Sequence, residues 1–115
     1  MNSVKYVGVD VDQATLVVVI EDAKGKFLMD AFVPCRSGDI RGFFKTLKGT
    51  IHVVFEESAQ AAWLYDLIQP LVAKVVVCDP RRNKLIQSGK KNDRIDARKL
   101  AKLLRLGELH EVYHG

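Results

Sequence analysis

Lys5-Tyr6-Val7-Gly8-Val9-Asp10-Val11-Asp12 is a nearly continuous apolar run that closes on two carboxylates. It reads as a buried strand. The C-terminal end of such a strand is where an α/β sheet places its ligand sites. Working outward, residues 15–20 form a second strand rich in β-branched residues. Glu21-Asp22-Ala23-Lys24-Gly25 is expected to turn the chain, with Gly25 free to adopt positive φ. Residues 26–33 supply a third strand, completing an antiparallel meander. Ser37 is placed to cap a helix whose Ile40, Phe43, Phe44 and Leu47 share one face, and Gly49 ends it. Residues 51–56 are a fourth, apolar strand. Ser58 caps a helix over residues 59–69, which turns Trp63, Leu64, Leu67 and Ile68 toward the core before Pro70 stops it. Residues 74–78 are a fifth strand. Asp79-Pro80 turns the chain, and Pro80 opens a short helix through Gln87. Asn92 caps a last helix that runs through Leu106 to Gly107. The order β-β-β-α-β-α-β-α predicts an α/β fold: a mixed five-stranded sheet with helices on its faces, in a single domain over residues 1–115.

At 115 residues and 48% apolar the chain can build one core, which excludes a disordered tail. No apolar run is long enough to span a bilayer, and the N-terminus lacks the pattern of a secretory signal. Cys35 and Cys78 are too few for a disulfide scaffold and have no metal-ligand spacing. They read as free thiols in a reducing compartment, and the expected location is cytoplasmic, with no membrane partner. His110 and His114 sit four apart in a tail expected to fray, with no further zinc ligands. His52 lies inside a strand and reads as structural. Charge is unevenly spread: residues 1–60 carry 7 basic and 8 acidic side chains, whereas residues 81–105 carry 10 basic and 2 acidic. That stretch is the electrostatic footprint of a nucleic-acid binder, although a solvated helix face would look the same.

Advancing about 100° per residue along the last helix puts Asp93 and Asp96 in phase with Ala97, Leu100, Leu103 and Leu104. Arg94, Arg98, Lys99, Lys102 and Arg105 fall on the opposite side, and Ile95 and Leu106 are exceptions among them. Acids near a helix N-terminus are favourable on the macrodipole alone, but that does not explain their sharing the apolar stripe. A carboxylate there is costly unless compensated, and a divalent ion compensates two at once. Asp10 ends the first strand; Asp12, deeper in the turn, fits an ordinary turn residue better. Glu56 directly follows Val53-Val54-Phe55, and alternation places Glu57 on the other face. Asp10, Glu56, Asp93 and Asp96 are therefore the candidate ligands. Hard oxygen donors select Mg²⁺ or Mn²⁺, and two such ions can clamp the attacking and leaving oxygens of a phosphodiester.

This order, with acids at those ends, resembles the RNase H-like fold in its RuvC-like form. The local motifs are similar to those of the DEDD transposases of bacterial insertion sequences, related to the Piv-type DNA invertases. They are Tyr6-Val7-Gly8-Val9-Asp10-Val11, Phe55-Glu56-Glu57-Ser58-Ala59, Val77-Cys78-Asp79-Pro80 and Lys91-Asn92-Asp93-Arg94-Ile95-Asp96-Ala97. Ala59, Asp79 and Asn92 depart from the family's usual Gly, Asn and Thr, and none removes a carboxylate. The resemblance implies that Asp10, Glu56, Asp93 and Asp96 are the catalytic, metal-holding tetrad of a transposase/recombinase acting in DNA strand cleavage and rejoining. It also implies a structured guide RNA, a homo-oligomer of the full-length protein, and a second domain bearing a serine nucleophile. Without that domain this chain is expected to be inactive alone. Arg81, Arg82, Lys84, Lys90, Lys91, Arg94 and Arg98 would contact nucleic acid. The competing reading is a non-catalytic RNase H-like nucleic-acid-binding module. An actin-like ATPase lobe is disfavoured, because the hairpin Val11-Asp12-Gln13-Ala14 lacks the glycine that would admit phosphate.

Overall fold

A computed structural model describes residues 3–80 and 93–112, residue 93 by its backbone alone. Strands β1 (Val4–Val11), β2 (Thr15–Asp22) and β3 (Phe27–Pro34) precede helix α1 (Ser37–Thr46). Strand β4 (Thr50–Glu56), helix α2 (Ala61–Ile68) with a 3₁₀ turn at Gln69–Leu71, strand β5 (Lys74–Cys78) and helix α3 (Asp93–Leu106) follow. The sheet order is β3-β2-β1-β4-β5. The β1–β2 and β2–β3 pairs are antiparallel, and β1–β4 and β4–β5 are parallel. The expected helix over residues 80–87, apart from Pro80, and the Asn92 cap lie outside the described residues.

The sheet separates two packed layers. On one face Val7, Val9, Leu16, Val18, Ile20, Val53 and Phe55 meet Ile40 and Phe44 of α1 and Ala61, Leu64, Leu67 and Ile68 of α2. On the other, Val54, Val76 and Cys78 meet Leu100, Leu103 and Leu104 of α3, and Val17 and Val19 meet Ala97. Burial on both faces is why these strands read as unbroken apolar runs rather than as alternation. Gly8 makes the second layer possible. A Cβ built on it would lie 1.9 Å from the carbonyl oxygen of Ala97 and 2.7 Å from the amide nitrogen of Ala101. The backbone of α3 therefore rests directly on β1.

Several local expectations are corrected. Glu21 is not in the turn: β2 continues to Asp22 through an irregularity at Ile20/Glu21, and Glu21 is buried. The turn itself closes on Asp22, whose carboxylate accepts from the amides of Lys24 and Lys26, both at 2.9 Å. Ser37 is the first residue of α1, and Arg36 takes the cap position without a side-chain bond. Ser58 organises the turn before α2, accepting from the Gln60 amide on its hydroxyl at 3.3 Å, so the helix starts two residues later than expected. Trp63 is 43% exposed, because Ala61, Leu64, Leu67 and Ile68 complete the inward stripe without it. Ile95 and Leu106 are exposed, in keeping with their phase. Gly107, at φ 71°, closes α3: its amide reaches the Leu104 carbonyl at 3.2 Å, and that of Glu108 reaches Leu103 at 3.0 Å. The tail then does not fray at His110. The Asp79 amide donates to the His110 carbonyl at 2.9 Å, the Val112 amide donates to the Val77 carbonyl at 2.6 Å, and Glu111 bridges Cys78.

Candidate active site

The parallel register of β1 and β4 sets Gly8 beside Val54. Carried two residues further, the same offset sets Asp10 beside Glu56, on strands about 4.8 Å apart. Gly8 and Val54 both face α3. Two-residue alternation turns Asp10 and Glu56 to that face as well, at the C-terminal ends of their strands. Both are half-buried. They line one small cleft of about 100 Å³ together with Val9, Val11, Glu57 and Ser58. The Glu57 carboxylate accepts from the Ser58 amide at 3.2 Å, so it is turned back to the entry of α2. Asp12 accepts from the Gln13 amide at 2.8 Å and serves the β1–β2 turn.

Asp96 is half-buried on α3, one turn before Leu100, on the side of the helix that packs against β4 and β5. Asp93 opens α3, and its side chain lies outside the described residues. Among the described residues no three His, Cys, Asp or Glu side chains gather closely enough to hold an ion. The structure thus brings two of the four expected acids together and places a third on the facing element. Paired carboxylates at strand ends are donors of the kind that Mg²⁺ or Mn²⁺ requires.

The basic residues of α3 are only partly solvated. Arg94 donates to Asp30 of β3, its Nε at 2.8 Å. Arg98 donates to the buried Glu21 carboxylate and to the Gly25 carbonyl, and its guanidinium lies 5.3 Å from the Phe27 ring centre. Arg105 reaches the other oxygen of Glu21 at 3.3 Å. Lys99 and Lys102 form no ion pair among the described residues. Arg81, Arg82, Lys84, Lys90 and Lys91 lie outside the described residues. His52 sits on β4 with its ring edge-to-face against Tyr6 at 5.6 Å. Burial, then the charge of Lys74, holds its pKa below the usual imidazole range. The backbone amide of Lys26 holds the exposed Asp22 carboxyl below its usual range; desolvation opposes it, and the Lys24 amide adds to the lowering.

A model of a transposase family, the DEDD transposases of IS110 type, matches residues 7–115. The chain belongs to this family. Among solved structures it resembles RuvC from T. thermophilus in complex with a Holliday junction substrate, at 11% identity and a TM-score of 0.57. That match covers 97% of this chain and 100% of that one. Among curated proteins none matches the sequence. The fold is accordingly the RuvC-like, RNase H-like α/β fold expected from the order of elements, and no described helix is long and apolar enough to cross a membrane. Sequence reasoning missed two residues that shape the neighbourhood of the site. Gly8 was readable as the one residue without a side chain inside a buried strand. Glu21 left no local signal, because its partners Arg98 and Arg105 lie 77 and 84 positions away.

Proposed function

We propose that this chain is the catalytic domain of a DNA transposase, acting in strand cleavage and rejoining, with Asp10, Glu56, Asp93 and Asp96 as the residues that hold divalent metal. The observation that carries this reading is the cleft that Asp10 and Glu56 line together at the ends of neighbouring strands, in a chain of a transposase family. Asp96 on α3 and Asp93 at its first turn would complete the donor set from across the cleft. Mg²⁺ or Mn²⁺ bound there would stabilise the charge that develops on a phosphodiester. The protein's part is to hold four carboxylates in place and to position the nucleic acid.

The DNA that RuvC holds in its complex is a Holliday junction, and junction DNA is the first ligand to test here. Arg81, Arg82, Lys84, Lys90 and Lys91 would contact phosphates. Arg94 and Arg98 would do so only by sharing or leaving Asp30 and Glu21. Lys99 and Lys102 are better disposed. By family likeness a guide RNA, a homo-oligomer and a serine-bearing second domain would complete the reaction, so the 115-residue chain alone should not nick DNA. The non-catalytic alternative would keep the fold and use its basic residues to hold nucleic acid without metal.

Calorimetric titration of Mn²⁺ into the chain separates the two readings. Binding that Asp10→Asn and Glu56→Gln each abolish supports the metal site. Equal binding by all three proteins, or none by the wild type even with junction DNA present, overturns it.

A further inference from the structure

Glu21 is the only charged side chain that is buried among the described residues, at 2% exposure. It belongs to neither the cleft nor the hydrophobic clusters. Burying a carboxylate is costly unless it is matched, and the match comes from a helix far away in sequence. Arg98 donates its Nε–H to one carboxylate oxygen and Arg105 its Nε–H to the other. These two arginines are seven residues apart on α3. They therefore share nearly one angular phase and sit about 10.5 Å apart along the helix axis. The tip of the β2–β3 hairpin completes the arrangement. The Gly25 carbonyl accepts from Arg98 at 3.3 Å. Gly25, at φ 86°, leaves open the space a Cβ would take 2.7 Å from the Arg105 guanidinium.

We propose that Glu21 is a positioning residue, a clamp that sets the axial and rotational register of α3 and thereby the placement of Asp93 and Asp96. The inference rests on the metal-site reading given above. Its physical basis is the smoothness of the contact between α3 and β1. The helix touches the sheet there through Gly8, Ala97 and Ala101. Small residues permit close approach and offer few knobs to resist sliding or rotation. A single carboxylate gripped from both axial directions opposes motion either way, because sliding toward one arginine stretches the bond to the other. The arginines lie roughly opposite Asp96 around the helix, about 160–180° away. Rotating α3 off the clamp would carry Asp96 out of its half-buried position by a comparable angle.

The test uses the full chain and three variants. Glu21→Gln keeps the size of the side chain and removes its charge. Arg105→Lys loosens one arm only. Ile40→Val weakens the core on the far face, away from α3. Mn²⁺ affinity, melting temperature and amide hydrogen exchange are measured for each. Glu21→Gln should weaken Mn²⁺ binding about tenfold, the low end of what losing an outer supporting contact does to a metal site. Arg105→Lys should fall between it and the wild type. Ile40→Val should lower the melting temperature and leave Mn²⁺ affinity within about twofold, since a remote methyl costs stability only. In Glu21→Gln the amides of residues 97–106 should exchange faster while those of α1 hold. Lost stability with unchanged Mn²⁺ affinity in Glu21→Gln would make Glu21 a fold-holding residue only and overturn the proposal. Should Glu21→Gln not fold, unchanged Mn²⁺ affinity in Arg105→Lys does the same. If the wild type shows no Asp10-dependent Mn²⁺ binding, the metal-site reading fails instead. The clamp is then judged on exchange alone, and uniform acceleration across all helices would refute it.

Discussion

Gly8→Ala is a one-methyl test of the packing of α3 on the sheet. The new carbon would lie 1.9 Å from the Ala97 carbonyl oxygen, 2.7 Å from the Ala101 amide nitrogen and 3.0 Å from the Ala97 carbonyl carbon. An ordinary carbon–oxygen contact needs about 3.3 Å, so α3 would have to retreat by about 1.4 Å. What stands in the way is helix backbone, which cannot rotate aside as a side chain would. Lifting the helix also opens the contacts of Ala97, Leu100 and Ala101, all fully or almost fully buried. Overpacking of this kind costs about 1–3 kcal/mol, and the backbone clash argues for the upper end. For a chain of this length about 3 kcal/mol corresponds to a fall of about 12 °C in melting temperature. The sign makes the test decisive. Gly8 has no positive φ, so without the clash alanine would stabilise the strand by about 0.4–1 kcal/mol through the unfolded chain. Thermal and urea melts followed by circular dichroism would give the answer. A melting temperature equal to or above that of the wild type would refute the close approach of α3 to β1.

Further outcomes follow from the same structure. If Mg²⁺ binds with a Kd of about 1 mM, then 10 mM Mg²⁺ should stabilise the wild type by about 1.4 kcal/mol. Scanning calorimetry should show this as a rise of several degrees that Asp10→Asn and Asp96→Asn lack; an equal rise in either variant would place the ions elsewhere. Folding favours neutral His52, whose pKa is lowered, so its contribution is complete above about pH 6.5 and is lost as pH falls through the lowered value. The urea midpoint of His52→Gln should therefore depend less on pH between about 7 and 5 than that of the wild type, and parallel curves would discount the burial of this ring. Replacing Arg81, Arg82, Lys90 and Lys91 together should flatten the salt dependence of DNA binding by up to about 3–4 units of log–log slope. An unchanged slope would move the binding face to another surface, with Lys99 and Lys102 the first to examine.

Strands β1, β2, β4 and β5 were legible because burial on both faces leaves long apolar runs, as in Val17-Val18-Val19-Ile20 and Val75-Val76-Val77, whereas β3 is largely exposed and has no such run. Asp10 and Glu56 could each be singled out as acids ending apolar strands, but their shared face depends on the β1–β4 register, which the structure supplies. Glu21 was not. The five residues from Glu21 to Gly25 look like a turn, and what keeps Glu21 in the strand is an ion pair with residues 77 and 84 positions away. Such a contact leaves no local period. Helix starts were misplaced for a similar reason: Ser37 and Ser58 are good caps by residue type, yet tertiary packing set the first turn elsewhere. Trp63 shares i, i+4 spacing with Leu67 but falls at the margin of the stripe that Ala61, Leu64, Leu67 and Ile68 bury, and the return of His110 to the sheet depends on backbone bonds that side-chain pattern does not encode.

The short return of residues 110–112 along β5 bears on how the domain avoids sticking to others of its kind. With that return in place, the C-terminal end of β5 at Val77 and Cys78 is not an unpaired edge. β3, at the other margin, carries Asp30 in its middle and Pro34 at its end beside exposed Phe27, Leu28, Met29 and Phe32. A version cut after Leu109 would keep every strand and helix described here and Leu109 on the core, yet it would open the Val77–Cys78 end of β5 and extend an apolar edge that carries no charge after Lys74, the profile that promotes edge-to-edge association. A shortened version of this domain that comes out of solution should therefore be suspected of having lost a seal rather than a core.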